Sequence, residues 1–371
     1  MNTSSNLFSE DFRDPILAQS LLRSIARRAD RPLRLMEVCG THTMAIFRHG
    51  IRALLPPTIT LLSGPGCPVC VTDAQEIDAF IALSQRDEVI VATFGDLIRV
   101  PGSFTSLQKE SAEGADVRVV YSAMDAVQLA QERPDKTVVF LGVGFETTAP
   151  TIAGAILAAQ ALGLDNFCVY AAHKTVPPAL SALMTHPAVG IDGFLLPGHV
   201  SVVIGLNAYR DFFQAHPTPC VVAGFEPLDL LQAIDALVAQ VAGGVPALEN
   251  CYSRAVTDNG NPKARAVMAQ VFAPCDARWR GLGPIAGSGL AIRPELARFD
   301  AARRFKIAVV EMPAPKGCAC GDILIGLKTP PQCPLFRKRC TPMDPVGPCM
   351  VSSEGTCAAY YRYHEDGSGT D

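Results

Sequence analysis

The residues able to do chemistry are gathered in a few short runs. Cys67 and Cys70 lie in Gly64-Pro65-Gly66-Cys67-Pro68-Val69-Cys70, a C-x-x-C spacing that closes a small redox disulfide or gives two thiolates to a metal. Pro65 and Pro68 stiffen the backbone and remove amide donors, which predicts thiols that are presented rather than packed. Cys39 opens Cys39-Gly40-Thr41-His42-Thr43. Its chemistry is that of a nucleophile or soft metal ligand, its pKa lowered by a helix N-terminus or by His42, while the plainer role for His42 is a bond to the backbone. In Gly144-Phe145-Glu146-Thr147-Thr148, Thr148 suits a helix N-cap ahead of Pro150. Glu146 is left for proton relay or for holding a cationic partner. His199, in Pro197-Gly198-His199-Val200-Ser201, suits a base, a ligand or an exposed turn residue.

The tail carries the densest chemical signal. Six cysteines, at 318, 320, 333, 340, 349 and 357, are set among prolines, a pattern that suits a loop-borne thiolate cage better than a packed core. A [4Fe-4S] cluster and a zinc site both need about four such donors. Paired C-x2-C knuckles, the usual zinc-ribbon device, are missing from the sequence, which favours the cluster. Four other cysteines, Cys168, Cys220, Cys251 and Cys275, stand alone and are expected to be small buried hydrophobes.

These runs need elements to position them. Apolar stretches at Leu33–Val38, Thr58–Leu62, Glu88–Thr93, Val117–Tyr121, Thr137–Leu141, Phe167–Ala171, Gly193–Leu196 and Cys220–Ala223 alternate with helical patterns such as Asp73–Ser84, Leu228–Val241 and Lys263–Phe272. That rhythm predicts parallel sheets with crossover helices. The polar runs follow the strands directly, and in open parallel sheets ligands collect at the carboxyl ends of strands. A charged break at Glu132–Lys136 and a softer one at Gly243–Pro246 suggest an α/β domain over 1–133, a second over 134–245, and a cysteine-rich C-terminal domain over 246–371 with a Gly-rich stretch at Gly281–Gly289.

The 371 residues are 49% hydrophobic with a formal charge of −4, enough for a large core. Lys and Arg are scattered, so no nucleic-acid partner is expected. No apolar h-region lies between Met1 and Asp30 and no run nears the roughly 18 residues needed to cross a bilayer. The expectation is a cytoplasmic protein without membrane attachment, where clustered thiols bind metal or do redox work. No G-x-x-x-x-G-K-[ST] loop is present, which speaks against an ATPase.

In order along the chain, the runs at Cys39, Cys67/Cys70, Glu146 and His199, together with Gly347-Pro348-Cys349-Met350-Val351-Ser352, resemble the hydrogenase maturation family HypD over about Leu33 to Tyr363. The resemblance implies two Rossmann-like parallel-sheet α/β domains plus an iron-sulfur domain. The family's C-x14-C-x6-C-x16-C spacing falls on Cys318, Cys333, Cys340 and Cys357 as [4Fe-4S] ligands, leaving Cys320 and Cys349 over. It further implies that Cys39 carries iron, that Cys67 and Cys70 are a redox pair, and that a HypC-type chaperone and a HypE-type cyanide donor are partners in assembling an Fe(CN)2CO centre. His42, Glu146 and His199 would tune or protonate that site. Two other readings of the residues stand beside this one: a free-standing cluster-dithiol oxidoreductase, and a zinc-stabilised binding module.

Overall fold

The computed structural model describes residues 11–307 and 315–364. The parts of the expected first and third domains at 1–10, 308–314 and 365–371 lie outside the described residues. The eight apolar runs all form strands, with ends within two residues of those expected: β1 Leu33–Glu37, β2 Ile59–Ser63, β3 Val89–Thr93, β4 Val117–Val119, β5 Thr137–Gly142, β6 Phe167–Ala171, β7 Gly193–Pro197 and β8 Cys220–Ala223. Three further strands are β9 Leu248–Asn250, β10 Phe272–Trp279 and β11 Gly283–Ile292.

The strands make two parallel sheets, so the fold is α/β as expected. The first has the order β2-β1-β7-β8-β9 and the second β4-β3-β5-β6. All pairings within them are parallel. The chain lays down β1 and β2, builds the whole second sheet, and returns to the first with β7. The division expected at 133/134 therefore falls inside the second sheet, where β3 pairs with β5 across it. The division at 245/246 separates β8 from its partner β9. Local composition marks surface breaks, whereas sheet membership is set by pairing between strands far apart in sequence.

Successive side chains of a strand point to opposite faces. Met36, Phe194 and Val222 enter one core of the first sheet. Leu35, Leu195 and Val221 enter the other. Both faces are thus covered, which is why these strands are nearly continuous apolar runs. The expected helices form as Ala74–Ser84, Pro227–Gly243 and Pro262–Val271. Asp73 and Glu76 close a capping box on the first.

The Gly-rich stretch forms the turn and much of the second strand of an antiparallel hairpin, β10–β11. Trp279, at its tip, is buried; its Nε1 donates to Ser288 Oγ at 2.8 Å and its ring stacks on Phe145. The cysteine-rich tail folds into short helices, Cys320–Leu324, Pro348–Val351 and Thr356–Tyr363. It packs on the Met36 face of the first sheet. The last of these helices meets the helix Gly40–Arg48 through Tyr360 against Phe47, ring centroids 4.7 Å apart. Among the described residues no helix is long and apolar enough to cross a membrane.

Candidate functional site

In the first sheet β2 lies on one side of β1 and β7 on the other, so the strand order reverses between β1 and β7. Such a switch point opens a crevice at the carboxyl ends of the strands. Cys39 follows β1 and His199 follows β7. A cleft of about 430 Å³ lies there, lined by Cys39, Thr41, Pro68, Thr147, His199 and Glu354 among others. The four motif loops thus meet, joined by Glu354 from the tail.

Cys39 is the N-cap residue of the helix Gly40–Arg48. Two glycines permit the close approach of its neighbours: a Cβ on Gly66 would collide with the Cys39 backbone nitrogen, and one on Gly40 would stand 2.6 Å from Glu354 Cβ. Gly40 N donates to Gly66 O at 2.9 Å, tying the two cysteine loops together. Glu37, fully buried at the end of β1, accepts from Cys39 N at 3.1 Å and from Thr43 Oγ1. The lowered pKa expected for Cys39 is not found. Burial pushes the thiol up to about 12, and although the His42 and Thr41 backbones donate to the sulfur, Glu354 and Glu37 add repulsion. Desolvation of a thiolate outweighs a few N–H dipoles.

His42 does not face the cleft. It is fully buried, its Nε2 is 3.2 Å from Ala223 O, and Nδ1 has no partner. Burial lowers its pKa to about 4, so the ring is neutral at pH 7. His199 is exposed on the cleft, and desolvation lowers its pKa as well. Both histidines pack on Phe225, with centroids 4.8 Å and 3.8 Å away.

Glu146 is also turned away from the cleft lining. Its Oε1 accepts from Val176 N at 2.9 Å, at the start of the helix Val176–Thr185, and Oε2 has no partner. Burial pushes its pKa up to about 7. Thr148 stands at the N-cap of the helix Ala149–Ala161, but its hydroxyl donates to Phe145 O at 3.2 Å instead of capping. The Glu146 loop is fixed further by Lys174, whose N donates to Gly144 O and whose Nζ pairs with Glu76 at 2.6 Å.

Cys67 and Cys70 are joined as a disulfide. Both are buried, contrary to the presented thiols expected of a Gly-Pro loop. The tail and the hairpin cover them: Cys67 Sγ lies 3.3 Å from Ser352 Oγ, and Arg280 N donates to Val71 O. Asp96 accepts from Ser352 Oγ, Ser353 N and Ser353 Oγ, which holds this cover in place.

Cys333, Cys340 and Cys357 are buried and Cys318 is half-buried. Cys318 has Cys320, Cys333 and Cys340 as neighbours, and Cys340 has Cys333 and Cys357. Cys340 Sγ accepts from Val346 N at 3.4 Å. Among the described residues no three His, Cys, Asp or Glu stand close enough to share one metal ion. Of the four isolated cysteines, Cys168 and Cys220 are buried as expected, whereas Cys251 and Cys275 are partly exposed.

Sequence reasoning missed Glu37, Glu354 and Phe225. Glu354 lies two residues past the Pro348–Ser352 run, and Phe225 is in a second Gly-Phe-Glu whose recurrence was the available signal. Glu37 ends a strand-like run and only the folded neighbours bury it.

A model of the HypD family, described as "Hydrogenase formation hypA family", matches residues 16–364. The chain is similar to the hydrogenase maturation factor HypD of Rhodobacter capsulatus, 46% identical over 96% of this chain and 98% of that one. It is 48% identical to the factor of the same name from Azotobacter vinelandii, over 96% of each. With that of Escherichia coli (strain K12) it shares 46% identity over 97% of this chain and 99% of the other.

Proposed function

The chain belongs to the HypD family of hydrogenase maturation factors, and from that premise we propose that it is a scaffold for assembling the Fe(CN)2CO centre of [NiFe]-hydrogenase. The observation that carries this reading is the placement of Cys39 at the β1/β7 switch point, in a cleft with His199 and Glu354. Iron bearing cyanide and carbonyl is soft and electron-rich, and a thiolate suits it. Binding it replaces the Cys39 proton, so the raised thiol pKa makes loading depend on a base to accept that proton. Glu354 and His199 line the same cleft for that purpose. His42 orients rather than titrates, because its buried ring is neutral and bonded to the β8 carboxyl end.

The partners in this reading are a HypC-type chaperone closing the open side of the cleft and a HypE-type cyanide donor, in the cytoplasm. The protein acts as a redox-active scaffold rather than as a conventional turnover enzyme. Cys318, Cys333, Cys340 and Cys357 would hold a [4Fe-4S] cluster. The fit rests on four neighbouring thiols and on backbone N–H groups aimed at Cys340 Sγ. The chemistry such a cluster supplies when bound is electron transfer. Cys67 and Cys70, packed in the same core as these thiols, would exchange disulfide for dithiol, with Ser352 covering the Cys67 sulfur.

Infrared spectroscopy of the purified partner complex tests the scaffold. Cys39→Ser keeps the side chain's size but loses the thiolate, so the cyanide and carbonyl bands should vanish while the tail's iron and sulfide content stays. Bands at wild-type intensity in that variant would overturn the assignment of Cys39. They would place the iron on other residues, with Cys70 and His199 the next candidates, whereas full maturation activity in a Cys39→Ala variant would favour the free-standing cluster-dithiol oxidoreductase, which has no use for this residue.

A further inference from the structure

Arg280 stands at the tip of the β10–β11 hairpin, between the dithiol and the tail thiols. Its backbone N donates to Val71 O at 2.9 Å and its Nε to Thr72 O at 3.1 Å. Both acceptors lie at the C-terminal end of the short helix Pro68–Val71, which Cys67 caps. An antiparallel bridge between Thr72 and Trp279 fixes the same contact. On its other side the hairpin touches the tail, where a Cβ on Gly281 would stand 2.7 Å from Gly321 O. Arg280 and Cys318 line one cleft of about 420 Å³. Gly347 closes on Cys318 from the same cleft, and a Cβ there would come within 3.0 Å of the sulfur.

The Arg280 fork is only partly used. Nη2 is buried and has no hydrogen-bond partner among the described residues. Asp322, a carboxylate on the wall of the cleft, is taken by Lys328 at 2.8 Å. A guanidinium keeps its charge at physiological pH, and a buried donor left unpaired is costly. That cost is offset when an anionic group faces the cation, and four thiolates holding a cluster are net negative, by one charge more when the cluster is reduced.

We propose that Arg280 is an electrostatic partner of the tail cluster, its guanidinium favouring the reduced state and so raising the reduction potential.

The inference rests on the assignment of a [4Fe-4S] cluster to Cys318, Cys333, Cys340 and Cys357. Cluster potentials follow net charge, hydrogen bonds to the sulfurs and solvent exposure, and Arg280 bears on the first of these. A fixed positive charge at the edge of the cage stabilises the form carrying the extra electron more than the form without it. The bond from Nε to Thr72 O keeps the guanidinium from swinging out to solvent. The charge is thereby held where the hairpin joins the dithiol helix to the cage.

The experiment uses the full chain, purified anaerobically with its iron and sulfide. It is titrated with dithionite in the presence of mediators, and the cluster is followed by visible absorbance and electron paramagnetic resonance. In Arg280→Gln, which loses the charge, the ratio of reduced to oxidised cluster at a fixed solution potential should fall on the order of tenfold, about 59 mV for a one-electron couple. Arg280→Lys, which keeps the charge and loses the fork, should stay near wild type. Equal potentials in all three proteins overturn the proposal. An equal fall in both variants also overturns it, since the bond to Thr72 O and not the charge would then be the cause. Should Arg280→Gln retain no iron and sulfide, the Lys variant decides. Retention there shows that the charge holds the anionic cage together and supports the proposal, whereas loss in both makes Arg280 a structural strut and overturns it. A wild-type chain without iron and sulfide fails at the earlier step, the cluster itself, and overturns both readings.

Discussion

At the scale of single residues the site is dominated by desolvation. Glu37, Cys39, His42 and Glu146 are all moved by burial toward their uncharged forms. For Glu146 this has a consequence for stability. Below pH 4.5 the carboxyl is protonated in both folded and unfolded chains; between there and about 7 only the unfolded chain has released its proton. The unfolded state then binds fewer protons, so stability falls as pH rises through that window and stays reduced above it. Glu146→Gln keeps a carbonyl for Val176 N and puts its amide where Oε2 already has no partner. The variant should be more stable than wild type by on the order of 2–3 kcal/mol at about pH 8, with little difference at about pH 4, as read by urea unfolding. A gain of the same size at both pH values would show that ionisation of this carboxyl is not the cause. Residue types alone signalled Cys39 and His199, which the fold brings to one cleft. The environment was not legible, because the elements that bury Glu146 and turn His42 to Ala223 come from distant parts of the chain.

At the scale of elements, loops are held by a few buried bonds. Lys174, 1% exposed, pairs with Glu76. The same Glu76 completes the capping box of the helix that follows Cys70. Since Lys174 N is also bonded to Gly144 O, one ion pair couples the helix after the dithiol loop to the Glu146 loop. Burial holds the Glu76 pKa above its usual range even beside the ammonium. Removing one partner of a buried pair leaves the other charge unpaid, whereas removing both is often tolerated. Lys174→Met should cost about 3–5 kcal/mol, and adding Glu76→Gln should return most of it, as measured by urea denaturation of the single and double variants. Additive losses in that cycle would show that the two side chains act separately. The strands flanking these loops were legible as short β-branched runs, a local property. The β10–β11 hairpin was not: β10 alternates buried and exposed residues, and Gly281, Gly283 and Gly287 at positive φ look like loop until the strands are paired.

At the scale of the whole molecule, the second sheet is an insertion in the first. β1 pairs with β7, which lies more than 150 residues further along, and β3 pairs with β5 across the charged break at Glu132–Lys136. Composition located that break well, as a turn between the helix Ala123–Glu132 and β5, but a turn is not a domain boundary. The arrangement ties the two halves of the candidate site together: the Cys39 and His199 loops come from the outer sheet, while Thr147 comes from the inserted one. A fragment of residues 1–133 would keep β1 to β4 but lose β5, β7 and β8. The apolar side chains of β1 and β3 that those strands cover, Leu35, Met36, Ile90 and Val91 among them, are all fully buried in the intact chain. A two-stranded remnant of each sheet cannot hide its faces. The fragment should therefore show no cooperative transition in urea, with backbone amides that exchange as in an unfolded chain. A sharp two-state transition would mean that 1–133 is a folding unit after all, and that the closing of the cleft is a docking event between separately stable parts rather than a step of folding.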